Sequence, residues 1–390
     1  MNPICLHNGT VMTGFTLMEH CAVLIEDGKI ADVFSQRRFE QKHFPQGTEI
    51  IDVGGNFIAP GFIDTHIHGF GGYGTDDAPS VGGTEAILEM SRHLVEHGVT
   101  AFNPTIYPLE PEEMLRAVSA VTWAMGQEKG ARIMGLHLEG PFLSPDKPGI
   151  MKAETIMPVD IPFMEKLWEA SKGRIVNMTV APELKGMREL ALFCLKKGIV
   201  LQAGHTDAQY ENMVEGMQIG ILHATHLFNA MSRMDHRNPN AVGAVLIHPE
   251  MSCEIIADGF HVHPDLFKLL LRDKPVEKIV LVTDALKPAG QSTGPFLANG
   301  EEVVLSEGVF RRKEDGVIAG SALTMIRGVQ NLVQFGFSLE EALKTASFNP
   351  AQVMRYRNKG AIIPGYDADL VVFDRDYHIS VVLCEGLRCV

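Results

Sequence analysis

Ile58-Ala-Pro-Gly-Phe-Ile-Asp-Thr-His-Ile-His68 is an apolar run that ends on two histidines separated by a single residue. Seven more runs of this kind follow, at 100–106, 132–139, 175–183, 199–205, 222–228, 253–261 and 278–284. Helical patterns lie between them, at 84–97, 111–125, 161–171, 186–197 and 264–272. After the eighth run comes a loop-rich insertion, and then 321–335 as the eighth helix. Strand–helix alternation repeated eight times implies a parallel sheet closed into a (β/α)8 barrel, an α/β fold of the TIM type. The sixth unit is the weakest, because 238–248 shows no clear helical pattern.

The ends of the chain read differently. Cys21-Ala-Val-Leu-Ile-Glu-Asp-Gly-Lys-Ile30 predicts a hairpin that turns at Asp27-Gly28. Gly365-Tyr-Asp-Ala-Asp-Leu-Val-Val-Phe-Asp374 reads as a turn followed by a strand. Residues 1–57 and 355–390 are therefore expected to pair into one small β-sandwich domain beside a barrel domain spanning 58–354.

Composition excludes several classes. The 390 residues carry a formal charge of −14, and no Lys/Arg cluster forms the basic face a nucleic-acid binder needs. No apolar run reaches the roughly 20 residues of a membrane span. The first residues lack the basic-then-apolar pattern of a signal peptide. The cysteines, at 5, 21, 194, 253, 384 and 389, include no CxxC pair and read as reduced thiols, which implies a cytoplasmic protein.

In such barrels chemistry sits at the C-terminal ends of the strands. Those ends here carry His66 and His68, Glu139, His205, His226, His261 and Asp284. Side chains alternate along a strand, so His66 and His68 share a face. Imidazole and carboxylate are the donors that zinc and similar ions accept, and three protein donors with an open position suit a catalytic site. Glu139, His205 and His226 supply three. His66 and His68 offer a second site, with Glu139 bridging. His137 lies one layer deeper, and His223, three residues from His226, points away. A carboxylate closing an apolar strand is commonly a helix cap, but opposite a metal cluster Asp284 reads as a general acid/base.

These segments resemble a known family. Pro60-Gly-Phe-Ile-Asp-Thr-His-Ile-His-Gly69, His137-Leu-Glu-Gly-Pro-Phe142, Gly204-His-Thr206, Thr225-His-Leu-Phe-Asn-Ala-Met231, Asp258-Gly-Phe-His261, Thr283-Asp-Ala285 and Ala319-Gly-Ser-Ala-Leu-Thr324 are similar to the N-acetylglucosamine-6-phosphate deacetylases of the amidohydrolase superfamily. The resemblance implies removal of the N-acetyl group of a phosphorylated amino sugar, with metal-activated water as nucleophile and Asp284 as base and acid. It implies one or two divalent ions per subunit, zinc first, with iron, nickel or cobalt as alternatives. Asn229, Ala230, His261, Ile150 and the Ile318-Ala319-Gly320 backbone match substrate-binding positions. Arg237, with His236 beside it, matches an arginine that reaches the sugar phosphate from the partner subunit of a homodimer. Arginine suits phosphate oxygens, and the loop Met231-Ser-Arg-Met-Asp-His-Arg-Asn238 is locally basic in an acidic chain.

One stretch departs from the family pattern. Where relatives often carry a histidine, this chain has Lys147-Pro-Gly-Ile-Met151. Met151 offers no hydrogen bond to a substrate carbonyl. Three rival readings stand beside the main one. Deacetylation of the galactosamine epimer is the nearest. A cyclic-amide hydrolase is opposed by the absence of a lysine at the end of the fourth strand, Thr179-Val-Ala-Pro-Glu183. A metal-binding scaffold without catalysis is opposed by the full set of ligands and acid/base.

Overall fold

The computed structural model describes residues 2–14, 16–292 and 294–390. Its centre is a barrel of eight parallel strands, Phe62–Ile67, Val99–Ile106, Leu136–Glu139, Ile175–Val180, Val200–Ala203, His223–Ala224, Ser252–Ile256 and Ile279–Val282. The matching helices are Gly83–Val95, Pro111–Ala124, Ile161–Ala170, Met187–Lys197, Tyr210–Gln218, Asn240–Ile247, Pro264–Asp273 and Met325–Gln334. The sixth unit does have its helix. Asn240–Ile247 is apolar nearly all round, with Ala241 to Val245 buried, so it lacks the polar stripe that would mark it in sequence.

The insertion after the eighth strand is also more ordered than its loop-rich sequence suggests. Phe296–Ala298, Glu301–Ser306, Val309–Arg312 and Ile318–Ser321 form an antiparallel meander. Two of its turns are Asn299-Gly300 and Glu307-Gly308, both residues of each at positive φ, as a tight hairpin turn requires.

The chain ends build one eight-stranded sheet. The hairpin at Asp27-Gly28 is present, joining Leu17–Glu26 to Lys29–Ser35. Alternate residues of the N-terminal strands (Leu6, Val23, Ile25) and C-terminal strands (Leu370, Val372, Leu383) share one core. The other face of the C-terminal strands, with Val371, Phe373 and Val382, joins the barrel core. Phe57–Pro60 pairs inside this terminal sheet, with Ile4–Met12 and Leu370–Phe373. Gly61 lies between this sheet and the first barrel strand. A Cβ at Gly61 would lie 2.2 Å from Thr100 Oγ1, so the crossing from one sheet to the other needs glycine. The six cysteines form no disulfide. Among the described residues no helix is long and apolar enough to cross a membrane.

The barrel is closed by specific bonds rather than by a continuous ladder. Thr283 Oγ1 donates to Asp64 Oδ2 at 2.6 Å, and the Thr283 N–H to Asp64 Oδ1 at 3.3 Å. Just above, the Asp284 N–H donates to the His66 carbonyl at 2.9 Å, and the His68 N–H to that of Ala285 at 3.0 Å. Asp64 is fully buried, and burial pushes its carboxyl up to about 7 against the pull of these bonds. Thr283→Val keeps the shape but deletes the hydroxyl donor. It should cost about 1–3 kcal/mol, measured as a lower urea midpoint with an unchanged slope.

Candidate metal centre

Six side chains from five strand ends converge at the barrel mouth. Glu139 Oε1 lies 3.1 Å from His205 Nε2 and 3.0 Å from His226 Nε2, and the two imidazole nitrogens are 3.2 Å apart. His68 Nε2 lies 3.1 Å from Glu139 Oε2, and His66 Nε2 3.4 Å from Glu139 Oε1. Asp284 Oδ1 completes the group, 3.4 Å from His68 Nε2 and 3.6 Å from His66 Nε2.

The backbone makes this convergence possible. His205, His226 and Asp284 lie just past their strands and hold φ of 45°, 26° and 49°. The left-handed turn swings each side chain over the mouth instead of leaving it to the strand's alternation. Three histidines are then fixed through Nδ1. His205 Nδ1–H donates to the Lys147 carbonyl at 2.9 Å, His68 Nδ1–H to that of Thr105 at 3.1 Å, and His66 Nδ1–H to Glu254 Oε2 at 2.9 Å. Acceptors at Nδ1 assign the tautomer and leave each Nε2 as a bare lone pair.

Lone pairs facing each other at 3.0–3.2 Å repel unless a cation lies between them. A tetrahedral ion with bonds near 2.0–2.1 Å would set its donors about 3.3 Å apart. His66 Nε2 is buried and has no hydrogen bond. The donor set thus fits a divalent ion. The electrostatics agree. Burial alone would drive His66 to its neutral form, yet Glu139, Glu254 and Asp284 outweigh it and hold the imidazole well above its ordinary value. Burial would likewise raise Glu139 and Asp284, but the surrounding histidines, His66 foremost, hold both carboxyls low. The cluster is stable as carboxylates only with positive charge among them.

The mouth opens into a cavity of about 480 Å³. Of the residues singled out in the sequence, His68, Glu139, His205, His226, Asp284, Ile150, Asn229, Ala230, His261, Ile318 and Ala319 line it. Gly320 sits behind Ala319, where a Cβ would lie 3.1 Å from the Asp284 carbonyl. His236 and Arg237 are not in this cavity. His236 is exposed and pairs with Asp235, and Arg237 lines a separate polar recess with Asp207, Tyr210 and Asn240. Met151 is in the wall.

Other placements depart from the sequence expectation or were missed by it. His223 does not point away. It is buried, with Nδ1 2.7 Å from Ser252 Oγ and Nε2 3.8 Å from Glu254 Oε1. The sixth strand is only His223–Ala224, and the turn at His226 breaks the two-residue count between them. His137 does lie one layer down, between Thr105 and Thr179, where burial holds it well below its ordinary value. Tyr107 stacks on His68 with ring centroids 3.7 Å apart. Asp258 Oδ2 takes the His261 Nδ1–H at 2.6 Å and so orients that ring. Asp258 stood in a quoted motif without a role, and Glu254, a lone charge inside Ser252-Cys-Glu-Ile-Ile256, was the unread signal.

Comparison with known proteins settles the kinship. A model described as "Amidohydrolase family" matches residues 57–388. The chain belongs to the amidohydrolase family. It is 35% identical over 382 residues to an N-acetylglucosamine-6-phosphate deacetylase of Bacillus subtilis (strain 168), covering 96% of this chain and 94% of the relative. It is 29% identical to an N-acetylgalactosamine-6-phosphate deacetylase of Escherichia coli O157:H7, covering 88% and 90%. Among solved structures, a mutant N-acetyl-D-glucosamine-6-phosphate deacetylase from Mycobacterium smegmatis, in complex with N-acetyl-D-glucosamine-6-phosphate, superposes with a TM-score of 0.90 at 28% identity and full coverage of both chains. The resemblance read from the motifs therefore extends over nearly the whole chain, and the barrel is that of its relatives.

A cluster of this charge should bind its ion at a gain in stability. Chelator-treated protein is expected to melt lower, and zinc at about 100 times its dissociation constant should restore about 2.7 kcal/mol, read as a rise in Tm by calorimetry.

Proposed function

We propose that the chain hydrolyses N-acetylglucosamine-6-phosphate to glucosamine-6-phosphate and acetate. The observation that carries this is the convergence of Glu139, His205, His226 and Asp284 over one cavity, in a chain whose relatives bear that activity's name along nearly their full length. Glu139, His205 and His226 would hold one divalent ion, and His66 and His68, beside Glu139, would hold a second. Zinc suits the nitrogen and carboxylate donors best, with iron, nickel or cobalt as alternatives. A divalent ion there would supply Lewis acidity, easing deprotonation of water and taking up charge on the carbonyl oxygen.

Asp284 accepts the proton of the attacking water. The C–N bond then breaks, and the same carboxyl returns the proton to the leaving amine, so acetate and a free amino sugar depart. Asn229, Ala230 and the Ile318-Ala319 backbone hold the sugar, with Ile150 and Gly320 shaping the wall. His261, locked by Asp258, presents Nε2 to the sugar. Met151 supplies no donor to the carbonyl, which favours polarisation by a two-ion site. Arg237 and His236 lie outside their own chain's cavity, which favours their reaching the phosphate across a homodimer. A cytoplasmic setting is supported by six unpaired thiols. The second reading, the galactosamine epimer, is favoured by the Escherichia coli relative.

Acetate release across N-acetyl hexosamines with and without the 6-phosphate tests the substrate. The gluco 6-phosphate is expected to have the highest kcat/KM, and preference for the galacto epimer would transfer the assignment. Asp284→Asn should keep its metal content and lose about 10²–10⁴-fold in kcat; near-normal turnover would refute its role. Arg237→Ala should raise KM for phosphorylated substrate by about 10–100-fold and leave unphosphorylated sugars unaffected.

A further inference from the structure

Glu254 lies beneath the mouth, fully buried in the seventh strand, and makes no contact with the cavity. Its two oxygens reach both halves of the centre. Oε2 accepts the His66 Nδ1–H at 2.9 Å and also the main-chain N–H of His226 at 3.2 Å. Oε1 accepts from Gln202 Nε2 at 2.8 Å. Gln202 Oε1 in turn takes a bond from Asn177 at 2.6 Å, so the carboxylate is anchored to the fourth and fifth strands. A buried carboxylate is costly unless its charge is matched. Among the described residues no lysine or arginine meets this one. Its neighbours are imidazoles, one amide side chain and a peptide N–H.

We propose that Glu254 is a positioning residue that builds the second metal site. It rests on the two-ion reading above. Held by Glu254, His66 keeps its proton on Nδ1 and turns a bare Nε2 toward Glu139 and Asp284. Carboxylates bonded to a ligating histidine in this way fix its ring and raise its basicity, and their loss typically weakens metal binding about 10–100-fold. The bond to the His226 N–H sets the left-handed turn that brings His226 to the first site. One carboxylate therefore couples the ligands of both ions.

The test is metal content, read independently of turnover. Full-length wild type, Glu254→Gln and Glu254→Asp are loaded with zinc, passed through a competing chelator and assayed for metal per chain. Cobalt-loaded samples give the visible spectrum of the ligand field. Wild type should retain two equivalents. Glu254→Gln, an isostere without the charge, should lose the second at about 10–100-fold lower chelator concentration and shift the cobalt spectrum. Glu254→Asp keeps the charge but draws it back by one methylene. It should show the same loss, which covers the case of a Gln variant too unstable to purify. Two equivalents in wild type, with both retained at unchanged chelator resistance in either variant, would overturn the role of Glu254 and leave the two-ion reading intact. A single equivalent in wild type would overturn both.

Discussion

The site depends on how the first and last barrel strands are joined. No ladder runs between Phe62–Ile67 and Ile279–Val282. The seam is instead made at the mouth, by Thr283 on the Asp64 carboxylate and by the Asp284 N–H on the His66 carbonyl. These bonds bring His66 and His68, from one end of the barrel sequence, against Asp284, from the other. Asp284 and the histidine pair are thus neighbours because the barrel closes, and the barrel closes through the segments that carry them.

Charge gives the same region a second constraint. Glu139, Asp284 and Glu254 are buried within one cluster, and Asp64 lies just below. Separately, each would be driven toward its neutral acid by desolvation. Glu139, Asp284 and Glu254 are instead held low by the histidines beside them, His66 foremost, and His66, His68 and His205 are tied at Nδ1. The polar layer beneath continues this logic. Thr105, His137, Thr179 and Thr225 form a chain of bonds at 2.8–3.0 Å that fills the barrel with satisfied donors where many barrels carry aliphatic layers. A rigid floor of this kind keeps ligands in place before an ion arrives.

Much of this was legible in the sequence, for a physical reason. Barrel strands are short, and chemistry gathers at their C-terminal ends, so Asp64-Thr-His-Ile-His68, His137-Leu-Glu139 and Thr283-Asp284 mark both the fold and the ligands. What escaped had no local signature. The helix Asn240–Ile247 is buried on nearly all sides and shows no periodicity. The meander after the eighth strand was announced by Asn299-Gly300, a hairpin signal that the polar surroundings masked. His223 was misplaced because two-residue alternation holds only while the strand lasts. Glu254 was missed because its partners come from the first, fifth and sixth strands, and spacing along one strand cannot reveal contacts across a barrel.

The left-handed residues tie stability to function. His205, His226 and Asp284 are side-chain-bearing residues in a region that costs of order 1–3 kcal/mol each. Each is held there by a bond to its own backbone. The His205 carbonyl accepts the Ser144 N–H at 2.8 Å, the His226 N–H meets Glu254, and the Asp284 N–H meets His66. Glycine would adopt these angles with less strain but offers no ligand. The strain is therefore retained because the residue must be both a turn and a donor. The loops that carry it are fastened to neighbouring strands, which is where the energy is recovered. Two of those three fastenings, Glu254 and His66, belong to the buried cluster itself, so the turns at His226 and Asp284 are held by other members of the same cluster, and that at His205 by Ser144.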